Sequence, residues 1–165
     1  MNIKFDSSAL GNPNLTDDNV YITFAAAASD MIYDPNGTKE SINFAANNIT
    51  YDGTQYGTSK AYSLADVKAN GIVLNSATSL IGFVSYGSKD GIEKLGTGAQ
   101  PAFLSASTPR YSIFEISYNG TTGGADITNI SQFGGCIQMK FQKADGTVQS
   151  EIGNSINTTD MFTAL

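Results

Sequence analysis

The sequence predicts an all-β domain, a sandwich or barrel carrying at most one or two short helices. Three observations support this: short runs rich in Val, Ile, Tyr, Phe and Thr recur, glycine turns separate them, and helical periodicity is scarce. The turns are Asn36-Gly, Asp52-Gly, Asn70-Gly, Asp90-Gly, Asn119-Gly and Asp145-Gly. Such pairs mark hairpins because Gly, and to a lesser degree Asn and Asp, tolerate the positive φ that tight turns need.

Taken in order, the expected strands are Asn19–Phe24, Ser41–Phe44, Gly71–Asn75, Ser79–Tyr86, Tyr111–Tyr118, Ala125–Ile130 and Cys136–Phe141. Alternation assigns their faces. Phe114, Ile116 and Tyr118 share one side of their strand, and Ile113, Glu115 and Ser117 share the other. In the last of these strands Ile137, Met139 and Phe141 form an apolar row expected in the core, opposite Cys136, Gln138 and Lys140. One turn of helix is expected over Ser63–Ala69, and a second helix over Thr158–Leu165, opened by a Thr cap. With 165 residues, 41% of them hydrophobic, the chain is expected to form a single domain over 1–165 with a substantial core. No period of about 20 to 50 residues repeats.

Composition removes several function classes. Only 15% of residues are charged and the net charge is −6, so 17 Ser, 16 Thr and 14 Asn must supply much of the polar surface. Nine Lys and Arg, without a cluster, offer no footprint for a phosphate backbone, and no nucleic-acid partner is expected. No apolar run approaches the roughly 20 residues of a membrane span. Phe24–Ala28 is too short and too far in for a signal peptide, so the chain reads as soluble, without an export signal or membrane partner. The lone Cys136 has no internal disulfide partner, and the absence of His excludes a His-based zinc site and a Ser-His-Asp triad. Acidic residues such as Asp17, Asp18, Asp34 and Asp52 lack the spacing of a calcium loop, and neither metal nor cofactor is expected. The six Asn-x-Ser/Thr sequons, at Asn14, Asn36, Asn48, Asn119, Asn129 and Asn157, follow from a composition this rich in those residues.

By spacing alone Glu115 reads as a solvated strand carboxylate. The segments Phe114-Glu-Ile-Ser-Tyr-Asn119, Ile127-Thr-Asn-Ile-Ser131-Gln-Phe, Gln142-Lys-Ala-Asp-Gly-Thr147 and Asp160-Met-Phe-Thr-Ala-Leu165 give it a context. In these the chain resembles the β-1,3-glucanases of glycoside hydrolase family sixty-four, the laminaripentaose-producing type, whose N-terminal barrel is related to the thaumatin-like fold. The resemblance runs over essentially all 165 residues, with Ser59–Ser63 and Ser79–Tyr86 adding weaker support.

That resemblance implies a thaumatin-like barrel and a divided outcome at the site. Hydrolysis in the family uses one carboxyl to protonate the glycosidic oxygen and another to activate water from the opposite face. The acid falls on Glu115, but the base falls on Ser131, whose hydroxyl takes no proton from water without a base of its own. Asp126 is the nearest other carboxylate, and alternation places it on the opposite face from position 131. Sugar contacts of the family fall on Ser117, Asn119 and Thr128; an aromatic platform falls on Gly124, so stacking is lost. The chain is also expected to lack the second, mixed α/β domain that forms the other wall of the family's cleft.

The leading expectation is a non-catalytic carbohydrate-binding module, its groove formed by Ser117, Asn119, Thr128 and Ser131 around Glu115 and its partner a β-1,3-glucan or related polysaccharide. A structural, self-assembling homo-oligomer, filament or crystal using the barrel as scaffold is the alternative from another class. A residual β-1,3-glucanase is the third, and an extracellular location is implied by the resemblance alone.

Overall fold

The computed structural model describes residues 1–8, 12–26, 28–33, 40–51, 53–89, 111–128, 137–142 and 145–153. In chain order its elements begin with β1 (Asn2–Ile3), β2 (Val20–Ala26), β3 (Ala28–Tyr33), β4 (Glu40–Ser41), β5 (Asn47–Tyr51), β6 (Thr54–Thr58) and β7 (Tyr62–Ser63). They continue through α1 (Leu64–Asn70), β8 (Ile72–Tyr86), β9 (Tyr111–Tyr118), β10 (Gly123–Thr128), β11 (Gln138–Gln142) and β12 (Val148–Gly153). The architecture is all-β and antiparallel, as its sequence predicts.

The 15-residue β8 is the spine. Along one edge it pairs with β2 through its second half and with β3 through its first; along the other it pairs with β9 and, near its start, β1. The main path runs β10-β9-β8-β2-β6-β5, and β11 with β12 forms a separate two-stranded sheet.

The main sheet is buried on both faces. On one, Phe24, Ile22, Val20, Leu74, Leu80, Phe114 and Ile116 belong to a single apolar cluster, completed by Leu64 and Val67 of α1. On the other, Ala25, Ile49, Tyr56, Ile81, Phe83, Tyr111 and Ile113 form a second. This is why Leu80-Ile81 and Ile113-Phe114 interrupt simple polar–apolar alternation: neighbours on a strand point into different cores. Burying each such side chain contributes about 1.5–3 kcal/mol. Gly82 is required by this packing, because the Phe114 ring lies where its Cβ would be.

The helix forms where its capping signals place it. The Ser63 hydroxyl accepts a hydrogen bond from the Asp66 N–H at 3.1 Å. At the other end Gly71, with φ of 73°, closes α1 as its N–H donates to the Val67 carbonyl at 2.9 Å. Asn70-Gly therefore stops a helix and does not turn a hairpin. Gly53, Gly120 and Gly146 do lie at hairpin turns, all with positive φ.

Other expectations are corrected. The runs Gly71–Asn75 and Ser79–Tyr86 are parts of one strand joined through Ser76–Thr78, while Ser41–Phe44 contributes only Ser41 to a strand. β1, β3, β5, β6, β7 and β12 escaped the sequence reading. Ile137, Met139 and Phe141 are only half-buried, with Met139 packing against the first cluster, because the β11–β12 hairpin is a small surface layer. Cys136, the Asn36-Gly and Asp90-Gly turns and the expected C-terminal helix lie outside the described residues.

Candidate functional site

The candidate site grows from the far end of β9, where a buried strand face emerges into solvent. Tyr111 and Ile113 are buried, Glu115 is half-buried and Ser117 is exposed on the same face. The register with β10 sets Gly124 opposite Ser117, Asp126 opposite Glu115 and Thr128 opposite Ile113. On the other flank Ile81 of β8 is opposite Glu115. Residues directly opposite across a ladder point to the same side. Glu115, Asp126, Ser117 and the open space at Gly124 thus share one face, with the carboxylates at the rim of the second apolar cluster.

Beside Ser117 the β8–β9 ladder is broken by a bulge. Ala77 pairs with Tyr118 and Leu80 with Ile116, so Thr78 and Ser79 together oppose Ser117. Ser79 takes a φ of 49°, and its N–H donates to the Ser117 hydroxyl at 3.3 Å. A side chain thus supplies an acceptor where the ladder is interrupted.

The hairpin loop 119–122 closes the site. The Asn119 carboxamide oxygen accepts from the Thr121 N–H at 3.0 Å and the Thr122 N–H at 2.8 Å. The Asn119 N–H donates to the Thr122 carbonyl at 3.0 Å, and the Tyr118 hydroxyl donates to the Gly120 carbonyl at 2.7 Å. Asn119 thus builds the turn that the Asn119-Gly pair predicts.

Between the bulge and this hairpin lies an open groove of about 300 Å³, lined by Ala77, Thr78, Ser117, Tyr118, Asn119, Thr122, Gly123 and Gly124. None of these residues carries a charge. Of the sequence-predicted positions, Ser117 and Asn119 line it, while Glu115 lies one cross-strand pair further along the same face. Thr128 lies two pairs beyond Ser117 in the register, and Ser131 lies outside the described residues. Ala77, Thr78 and Thr122 escaped sequence reasoning because a bulge and a four-residue loop bring them together. The Glu115–Asp126 juxtaposition was within reach, since it follows once Tyr118 and Gly123 are taken to close the hairpin.

Among the described residues no three His, Cys, Asp or Glu side chains gather as metal ligands, and no helix is long and apolar enough to cross a membrane. Comparison of the chain with protein-family models, curated proteins and solved structures returned no match.

Proposed function

We propose that this chain is a non-catalytic glycan-binding module whose groove between the β8 bulge and the β9–β10 hairpin holds a β-1,3-glucan or a related uncharged polysaccharide. The observation that carries this reading is the coincidence of an open, uncharged groove with Ser117 and Asn119, two positions given a sugar-binding role by the resemblance. Hydroxyl and amide groups suit neutral sugar hydroxyls, and the nearest charges on that face, Glu115 and Asp126, disfavour an anionic ligand. The thaumatin-like character of the barrel belongs to the same proposal.

Isothermal titration with laminarin tests it, with a charged glycan such as heparin as the control. Saturable laminarin binding without heparin binding is expected; no heat with laminarin at millimolar concentration overturns the reading. Asn119→Asp is a sharper probe than Asn119→Ala, because an aspartate keeps an oxygen for the Thr121 and Thr122 N–H groups.

The Glu115–Asp126 register favours a second reading, residual hydrolysis. Directly opposed strand positions hold their Cβ atoms roughly 4.5–5.5 Å apart. Glycoside hydrolysis calls for a pair of carboxyl groups, and these two positions supply one. Reducing-end release from laminarin, lost in both Glu115→Gln and Asp126→Asn, would establish it, and no release from the unaltered protein rejects it.

A further inference from the structure

We propose that Gly124 determines the specificity of the groove, as the point where a bound neutral polysaccharide lies directly on the protein main chain. The inference rests on the glycan-binding reading and adds the mode of contact.

Other sheet glycines have internal reasons to be glycine. A Cβ on Gly82 would meet the Phe114 ring, one on Gly57 the Phe44 carbonyl oxygen, and one on Gly123 the Ser117 carbonyl oxygen. Gly124 has none of these. A Cβ built on it meets nothing within 4 Å, and its φ lies outside the left-handed region. Neither packing nor backbone geometry demands glycine at this second position of the edge strand β10. A strand glycine is one mark of a site where another molecule approaches the main chain closely.

The surroundings define what approaches. Gly124 is exposed, opposite Ser117 on β9, and lines the groove with Thr78 and Thr122. An uncharged floor without a side chain, bordered by hydroxyls, fits the flat C–H face of a pyranose ring whose equatorial hydroxyls reach sideways. A β-linked glucose unit has that shape, so contact with the Gly123–Gly124 main chain takes the place of an aromatic platform.

The test compares the unaltered protein, Gly124→Ala and Gly124→Tyr, each titrated with laminarin and melted without it. Gly124→Ala is expected to bind at least about tenfold more weakly while its Tm stays equal or rises, because alanine suits the strand and obstructs only the ligand. A merely structural glycine would lower Tm along with affinity, and that result overturns the proposal. Equal binding by Gly124→Ala and the unaltered protein also overturns it, as does tighter binding by Gly124→Tyr, which would mean a vacant stacking site. If the unaltered protein binds no laminarin, the glycan-binding reading itself fails.

Discussion

Ser79 and Ser117 face each other across the β8 bulge, the Ser79 N–H donating to the Ser117 hydroxyl at 3.3 Å. Ser79 is also the only non-glycine residue with positive φ among the described residues, at 49°. A left-handed residue with a Cβ costs about 1–2 kcal/mol, and such outliers concentrate where a chain is shaped for function. Here the outlier borders the groove.

Relieving that conformation should stabilise the protein. Ser79→Gly is expected to raise unfolding stability by about 0.5–1 kcal/mol, and Ser117→Ala to lower it by about 0.5–1.5 kcal/mol through the lost acceptor. Urea denaturation reads both as shifts in midpoint. A loss of stability in Ser79→Gly would mean that the serine side chain outweighs the strain.

Gly82 allows the Phe114 ring to lie against β8. Gly82→Ala forces ring and methyl into the same space, and overpacking of this kind costs about 1–3 kcal/mol. Shortening the opposing side chain in Gly82→Ala/Phe114→Leu should recover part of that loss, a coupling that a double-mutant cycle measures. Strict additivity would show that the two positions do not compete for the same space.

The Lys68 ammonium, 2.6 Å from Asp17, holds that carboxyl below its ordinary value of 3.8, assisted by the Ser7 hydroxyl. Because the folded pKa is lowered, the stabilisation is complete above the ordinary value and fades as pH falls through it toward the folded one. The pair is substantially exposed, so its worth is at most about 1 kcal/mol. Lys68→Ala should therefore be slightly less stable than the unaltered protein at neutral pH and equal to it near about pH 2. Denaturation at both pH values checks the sign.

The sequence makes the fold class legible because glycine turns and β-branched runs act locally. Tyr111–Tyr118 emerges with the expected bounds and faces, since its alternation is undisturbed. Asn70-Gly misleads, because the same positive-φ preference serves a helix stop and a hairpin. β5 and β6 escaped notice because Asn47-Asn48 and Gln55, Gly57 have weak strand propensity; β6 is fixed by long-range pairing with β2, and β5 by pairing with β6. At the site Ser117 and Asn119, singled out by the resemblance, line the groove. The bulge at Thr78–Ser79 was not, since an extra residue in a ladder has no local signature in a Ser- and Thr-rich run.

The most direct test of the account is laminarin titration of the unaltered protein beside Asn119→Asp and Ser117→Ala. The account predicts saturable binding by the unaltered protein and at least about tenfold weaker binding by both folded variants, in line with the loss of one or two hydrogen-bonding groups. No binding by the unaltered protein, or undiminished binding by both variants, would contradict a glycan groove between the bulge and the hairpin.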